Sequence, residues 1–324
     1  EYAPPRDQSE PDRLLVPIEQ AKKLSPYIGF ETPTIHRLGG TVWFTTRRKV
    51  KETTLALAKG LLELYKKRFS ATRPAYDTQR AANKEFDEYF PLDETADQKK
   101  ATHDLDRDLA GTRPMDRIVC GDVGFGKTEI AMRAAFRAVV AGKQVALVSP
   151  TTILADQHFR NFKERFRTTA VEIRGLSRLT PPREEKEILD ALALGKIDIL
   201  IGTHRLLSKD VRFKNLGLAI IDEEQKFGVR QKERFKELRA DIDILSLSAT
   251  PIPRTLQFAL SKLRDISQIE TPPKGRVSIK TYVLPNSKKI IQEAASAELK
   301  RGGQIYFLHN RVQPMDAFRE KLAH

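Results

Sequence analysis

The sequence predicts an α/β fold, a parallel sheet flanked by helices. Three observations carry this. Short apolar runs of strand length alternate with longer amphipathic segments, the pattern of a sheet covered on both faces. One run, Arg117–Cys120, leads into Gly121-Asp-Val-Gly-Phe-Gly-Lys-Thr128, which fits G-x-x-x-x-G-K-[ST] and opens a helical segment. A later run, Leu216–Asp222, leads into three consecutive acids, Asp222 to Glu224.

The chain has 324 residues, 40% of them hydrophobic, enough for about two domains with their own cores. Its 57 Lys and Arg against 43 Asp and Glu give a net charge of +14. That points to a polyanionic partner, with an inert basic surface as the alternative. The single cysteine, Cys120, supports neither a disulfide framework nor a Cys-x-x-Cys metal site, so an intracellular, cytoplasmic location is expected. His36, His103, His158, His204, His309 and His324 show no ligand-like spacing. No apolar run approaches the length of a membrane span, and no signal-peptide pattern opens the chain. The abrupt ends suggest a fragment of a longer protein.

Taken in order, residues 1–13 are polar and proline-rich and are expected as loop or disordered chain. Leu14-Leu-Val-Pro-Ile18 reads as one strand, which cannot stand alone and so looks like the tail of a β-rich module. From about Thr45 to Phe69, Val50, Leu55, Leu57, Leu61, Leu62, Leu64 and Tyr65 interleave with basic residues, which predicts one long basic amphipathic helix. It is either a solvated face or a connector lying across another domain or near nucleic acid. A second helix is expected over Asp77 to Pro91, and a third from the N-cap Thr95. Strands are then expected at Arg117–Cys120, Gln144–Ser149, near Ala170–Arg174, and at Asp198–Gly202, Leu216–Asp222 and Asp243–Ser248. Helices are expected at Glu129–Val140, Thr152–Arg165, Pro182–Leu194, Gln225–Leu238 and Pro253–Leu260. Pro272-Pro-Lys-Gly275 reads as a linker. Beyond it, Val277–Leu284, a helix around Lys288–Arg301 and a strand Gln304–His309 begin a second α/β unit.

The glycine loop dictates its chemistry. Its glycines let backbone N–H groups turn inward on a polyphosphate, and the following helix adds its positive N-terminal end. Lys127 is placed to reach the β/γ-phosphates, and the Thr128 hydroxyl to ligate Mg²⁺. Asp222 is placed to hold the same metal, and Glu223 to orient and deprotonate an attacking water. Ser248-Ala-Thr250 ends the next strand, where its hydroxyls either relay nucleotide state or simply cap the strand. Ser149-Pro-Thr-Thr-Ile-Leu154 and Gly202-Thr-His-Arg-Leu-Leu207 put small polar residues at two more strand ends. These suit sequence-independent phosphate contacts or ordinary helix capping. Arg178 is either a phosphate contact or an exposed arginine with no role.

Together these residues resemble a superfamily 2 helicase or translocase. The spelling of Gly121–Glu129, Pro150-Thr-Thr-Ile-Leu-Ala155, Gly202-Thr-His-Arg-Leu-Leu-Ser-Lys209, Asp222-Glu-Glu-Gln-Lys-Phe-Gly228 and Leu247-Ser-Ala-Thr-Pro-Ile-Pro-Arg-Thr-Leu256 is similar to the bacterial transcription-repair coupling factor family (Mfd). RecG is a relative that shares the translocase lobe. Two features favour the coupling factors: Phe90-Pro-Leu-Asp-Glu-Thr-Ala-Asp-Gln98, similar to their adenine-side segment, and the stretch Leu15–Gln20, Leu38–Gly40 and the long basic helix.

The resemblance implies a RecA-like P-loop sheet with a long basic helix before it and a partial second RecA-like lobe after it. Residues 1–30 would be the end of an RNA-polymerase-interacting β-module, 31–75 a linker and relay helix, 76–270 the ATP-binding translocase lobe, and 271–324 the truncated start of the second lobe. Phe90 and Gln98 would recognise adenine. Gly121, Asp122, Val123, Gly124, Phe125, Gly126, Lys127 and Thr128 would hold the triphosphate, and Thr128 and Asp222 the Mg²⁺. Glu223 would activate water, and Gln225 would couple the γ-phosphate to the rest of the site. Ser248 and Thr250 would link ATP state to DNA grip. Thr151, Thr152, Arg178, Thr203, Arg205 and Arg311 would lie along duplex DNA.

The function implied is ATP-dependent translocation on double-stranded DNA that displaces stalled RNA polymerase at lesions and, in the whole parent, recruits UvrA for excision repair. A RecG-like fork remodeller is the alternative. For the fragment alone, a nucleotide-gated DNA- or protein-binding module is another. Without the arginine finger expected later in the second lobe, worth roughly 10³–10⁵ in rate, the fragment is expected to bind ATP weakly and hydrolyse it poorly. Duplex-DNA affinity, measured by fluorescence anisotropy, is expected to fall by about 10³-fold or more between about 50 mM and about 200 mM salt. A flat salt response would show that the basic surface is not used.

Overall fold

The structure is a computed structural model that describes residues 47–49, 51, 52, 66, 68, 70–227, 242–249, 264–276, 281–285 and 287–308. It divides into two units, Glu1–Lys274 and Gly275–His324. The first is built on seven parallel strands: β1 (Asp116–Gly121), β2 (Gln144–Val148), β3 (Ile173–Leu176), β4 (Ile199–Gly202), β5 (Leu216–Asp222), β6 (Asp243–Ser248) and β7 (Asp265–Ile269), in the order β3-β4-β2-β5-β6-β1-β7. Its helices are α1 (Ala81–Glu88), α2 (Ala96–Ala110), α3 (Lys127–Val140), α4 (Thr152–Arg165) and α5 (Pro182–Ala193). The described parts of the expected long basic helix, at 47–49, 51, 52, 66, 68 and 70, are helical.

Strand alternation sorts the apolar side chains onto two faces. Val145, Leu147, Ile199, Ile201, Leu218 and Ile220 join one core with residues of α1 to α4. Ala146, Val148, Leu200, Ala219 and Ile221 join a second core with Ile188 and Leu192 of α5. The central strands are apolar on both faces because helices cover both.

Buried charges lock the helices to the sheet. Arg133 and Arg137 of α3 are buried. Arg133 bonds Glu94 (2.7 Å) and Glu129 (3.0 Å), and Arg137 bonds Asp87 (2.7 Å) and Asp106. Phe86 of α1 stacks on Phe136 of α3 with centroids 4.2 Å apart. Arg117 on β1 bonds Asp108 of α2 at 2.6 Å and Ser267 of β7 at 2.8 Å. At the start of β6, the buried Asp243 accepts from Met115 N (2.6 Å) and Arg73 Nε (3.0 Å). Burial pushes its carboxyl upward, and the Arg73 charge opposes that shift. Such pairs fix geometry more than they stabilise, because each charge first loses its water.

Several expectations need correction. Strand β3 lies at Ile173–Leu176, a few residues past the expected Ala170–Arg174. The segment Asp77 to Pro91 is helical only over Ala81–Glu88. β7 was not expected, because Asp265-Ile-Ser-Gln-Ile269 carries only two strongly apolar residues; it forms by adding to the edge of β1. Of the expected helix Gln225–Leu238, the described part is a single 3₁₀ turn, Glu224–Lys226, and the rest lies outside the described residues, as does Pro253–Leu260. In the second unit, α6 (Lys288–Lys300) forms where a helix was expected. Residues 281–285 and 304–308 pair with no strand among the described residues, and Tyr306 and Leu308 stand exposed. An unpaired segment has no ladder to hold it extended.

Gly202 closes β4 where a Cβ would overlap the Leu176 carbonyl oxygen and Leu206 Cδ1. Gly202→Ala is expected to cost about 1–3 kcal/mol of unfolding free energy by urea titration, since the β3 backbone cannot step aside.

Candidate nucleotide site at the strand ends

Because all seven strands run parallel, their C-terminal ends share one edge of the sheet, where ligands of such sheets bind. β1 delivers the glycine loop there. Gly124 (φ 80°) and Gly126 (φ 83°) take left-handed conformations, and α3 starts at Lys127. Gln98 braces this loop. It is the third helical residue of α2 and closes a capping box: Thr95 Oγ1 accepts from Gln98 N (3.3 Å), and Gln98 Oε1 accepts from Thr95 N (2.9 Å). The same side chain donates from Nε2 to Phe125 O at 2.9 Å. Among the described residues, one amide N–H and one lone pair of Oε1 remain for a further partner. Phe90 is half-buried beside the Arg133 and Arg165 guanidinium groups, 5.5 and 5.7 Å from its ring centre.

Lys127 Nζ donates to Gly121 O (2.6 Å) and Asp122 O (2.9 Å), so its ammonium lies folded across the loop. Burial lowers its pKa, while Glu223, Asp222 and Asp122 pull the other way. β5 ends on the same edge of the sheet as the loop, with β6 between β5 and β1. Asp122, Val123 and Gly124 are exposed along the loop, and Thr128 is half-buried in the first turn of α3. Cys120, one residue before the loop, has its thiol pushed up to about 11 by burial, so it is an inert core residue.

The three acids after β5 separate into three roles. Asp222 is buried, and its Oδ2 lies 2.9 Å from His158 Nε2 on α4. Glu223 has φ 51° and ψ 54°, and is the one non-glycine residue with positive φ among the described residues. Its N–H donates to Leu247 O (2.9 Å), its Oε1 accepts from Ala249 N (2.8 Å), and Gln225 Nε2 donates to its Oε2. Glu224 accepts from Ser246 Oγ (3.1 Å) and Arg264 Nη1 (3.1 Å), and Arg264 Nε in turn donates to Asp116 at 2.8 Å. Glu224 is therefore a structural acid.

The strand-end residues fall into two groups. Ser149 N donates to Gly202 O at 2.8 Å, which carries the β2–β4 pairing past the strands and sets Thr151, Thr152 and Thr203 along one rim. Thr151 is exposed and caps α4 by accepting from Leu154 N (3.2 Å), and Thr152 is half-buried. Thr203 is buried, with no hydrogen bond to its hydroxyl among the described residues. Arg178 is exposed in the turn after β3. Arg205, expected along DNA, is held by two acids of the chain. Its guanidinium donates to Asp210 (2.9 Å) and Glu185 (2.9 Å), and those bonds, Asp210 first, raise its pKa. Ser248 is half-buried at the end of β6, while Thr250 and Arg311 lie outside the described residues.

Sequence reasoning missed His158, Arg264 and the Ala249 N–H. One signal for His158 was available: Ala155, His158 and Phe162 share the inward face of α4, so this histidine had to point at the sheet. Among the described residues, no group of three His, Cys, Asp or Glu side chains is built to hold a metal alone. Asp222 and the Thr128 hydroxyl are hard oxygen donors at one edge. They fit Mg²⁺ that takes its remaining ligands from phosphate and water.

The DEAD/DEAH box helicase profile matches residues 95–258, from the N-cap of the Gln98 helix to beyond Ser248, and spans half of the chain. The chain belongs to the DEAD/DEAH box helicase family. It is 46% identical over 314 residues to the transcription-repair-coupling factor of Bacillus subtilis (strain 168), and 47% identical over 313 residues to that of Staphylococcus aureus (strain USA300). Both alignments take in 96% of this chain and 27% of the relative, so the chain spans about a quarter of the curated relatives' length. A structure of RecG bound to a three-way DNA junction matches 81% of this chain and 37% of that one, at 32% identity and a TM-score of 0.66. The DUF1998 helicase MrfA bound to DNA shares the fold at 16% identity and a TM-score of 0.51, over 71% of this chain and 36% of that one. The first unit of this helicase-family chain is a RecA-like sheet, and the resemblance to superfamily 2 translocases holds. No helix among the described residues is long and apolar enough to cross a membrane.

Gly126 is the position where loop, helix and Gln98 meet: a Cβ there would overlap Gln98 Nε2 on a backbone with φ 83°. Gly126→Ala is expected to lose about 1–2 kcal/mol from the left-handed backbone alone. In a chemical-denaturation double-mutant cycle with Gln98→Ala, the second change relieves the overlap and leaves the backbone term, giving a non-additive pair.

Proposed function

We propose that this chain carries the ATP-binding lobe of a double-stranded DNA translocase of the transcription-repair-coupling type. The observation that carries the reading is the meeting of a complete phosphate loop with Asp222 and Glu223 at one sheet edge, the Glu223 carboxylate bonded to the end of β6. In this reading the loop amides and Lys127 bind the triphosphate, and the lysine exchanges two carbonyl acceptors for stronger, charged ones. The remaining N–H and lone pair of Gln98 match the two hydrogen-bonding groups on one edge of adenine, and Phe90 offers an aromatic face to the base. Thr128 and Asp222 hold Mg²⁺, which supplies charge neutralisation at the phosphates when bound. Glu223 takes the proton of the attacking water, and Gln225, bonded to the same carboxylate, reports on the γ-phosphate. Ser248 and Thr250 pass that state to the rim. There Thr151, Thr152 and Thr203, with Arg178 and Arg311, contact duplex phosphates. Arg205 joins them only if it leaves Asp210 and Glu185.

The similarity to transcription-repair-coupling factors at 46–47% identity supports RNA polymerase as the object acted on and UvrA as a partner of the whole protein, in the cytoplasm. It also supports the division into an end of a polymerase-binding module (1–30), linker and relay helix (31–75), first lobe (76–270) and start of a second lobe (271–324). A RecG-like fork remodeller is the second reading, favoured by the junction-bound RecG likeness. The higher identity and fuller coverage by the coupling factors put it second.

Glu223→Gln is expected to keep nucleotide affinity, measured with a fluorescent ATP analogue, and to lower DNA-stimulated phosphate release by about 10²–10⁴-fold, the usual contribution of a general base. Hydrolysis at the unaltered rate would remove Glu223 from that role.

A further inference from the structure

Helix α4 connects two parts of the site. Thr151 caps it and Thr152 opens it at the rim, and nearly two turns further on it carries His158, whose ring reaches Asp222 at 2.9 Å. We propose that His158 is a positioning residue for Asp222. Its buried hydrogen bond fixes the carboxylate that faces the metal and joins it rigidly to the helix that begins at the DNA-facing rim. This rests on the reading of Asp222 as a magnesium ligand.

Four observations carry the inference. First, a carboxylate only accepts, so the hydrogen of this bond sits on His158 Nε2 and occupies one lone pair of Oδ2. Oδ1 makes no hydrogen bond among the described residues, which leaves that oxygen for a metal or its water. Second, both side chains are buried, so the bond is shielded from competing water. Third, His158 Nδ1 is buried with no hydrogen-bond partner among the described residues. A buried, unsatisfied ring nitrogen costs about 1–3 kcal/mol, and an apolar side chain would fill the same inward position beside Ala155 and Phe162 without that cost. The packing of α4 therefore does not account for a histidine here, whereas a donor to Asp222 does. Fourth, the neighbouring acids are each held by other groups, Glu223 by Ala249 N and Gln225, Glu224 by Ser246 and Arg264. Asp222 has His158 as its side-chain partner among the described residues. The carboxylate would otherwise rotate freely about its last torsion, and a metal ligand that must first be ordered binds more weakly.

The test is equilibrium binding of a non-hydrolysable fluorescent ATP analogue to the full chain, titrated with Mg²⁺ and repeated in EDTA. His158→Leu removes the donor and fills the space. His158→Gln keeps an N–H at comparable reach. His158→Leu is expected to raise the half-saturating Mg²⁺ concentration by about 10- to 100-fold, the usual cost of losing a group that orients a metal ligand. Its affinity in EDTA should stay unchanged, and His158→Gln should restore most of the Mg²⁺ response. If His158→Leu loses its cooperative thermal transition, His158→Asn, one methylene short of the carboxylate, takes its place with the same expectation. A wild-type Mg²⁺ midpoint in the donor-less variant would overturn the proposal. So would equal losses in the Leu and Gln variants, or a loss in EDTA as large as that in Mg²⁺. Failure of the unaltered chain to bind the analogue at any Mg²⁺ concentration would overturn the nucleotide reading instead.

Discussion

The Glu223 N–H donates to Leu247 O at 2.9 Å, and the Glu223 carboxylate accepts from Ala249 N at 2.8 Å. The first carries the pairing of β5 and β6 one residue past the end of β5, and the second ties the carboxylate to the residue that follows β6. They require Glu223 to hold φ 51°, a conformation that costs a non-glycine residue about 1–3 kcal/mol and persists only where its surroundings over-determine it. The result is a sharp bend that separates three successive acids. Asp222 stays in line with the strand against α4, Glu223 turns to the end of β6, and Glu224 turns to Arg264. A regular extended strand would have placed Asp222 and Glu224 on one face and Glu223 on the other.

That bend has meaning only because the sheet places it opposite the glycine loop. β6 lies between β5 and β1, so the loop and the acids are one strand apart on a common edge. The edge is held by buried ion pairs at the other levels of the fold. Arg117 ties β1 to α2 and β7, Asp243 ties β6 to the chain before α1, and Arg133 and Arg137 tie α3 to α1 and α2. Gln98 then connects that frame to the loop itself through Phe125 O. A network of this kind gains little net stability, because desolvation offsets much of the attraction. What it supplies is a single arrangement of the loop relative to α2.

The parts of the fold legible in the sequence were those whose local pattern and tertiary role agree. β1, β2, β4, β5 and β6 are buried strands built round short apolar runs because both faces are covered, and each was expected within a residue or two. α4 and α5 carry apolar stripes at helical spacing and begin at a threonine cap and a proline, while α3 begins directly after the loop glycine Gly126. β7 was illegible because an edge strand with Ser267 bonded to Arg117 needs few apolar residues. Arg205 shows the same limit on the site. Its place at a strand end matched the spelling of a DNA contact, yet Glu185, twenty positions earlier, and Asp210 occupy its guanidinium, and no local pattern reports a partner at that separation.

The sequence by itself determined the chemistry available. The glycine spacing, the lysine and threonine that follow it, and the acids after an apolar run are local features, and local features survive without knowledge of the fold. Only the tertiary structure decided how three adjacent acids divide their work and which distant group holds each one. Gln98 became a brace for the loop as well as a candidate for adenine, and His158, unremarkable among six histidines, became the partner of Asp222. The reason is physical. A side chain's role at a sheet edge depends on hydrogen-bond partners brought in by parallel crossovers, and those partners lie tens of residues away along the chain.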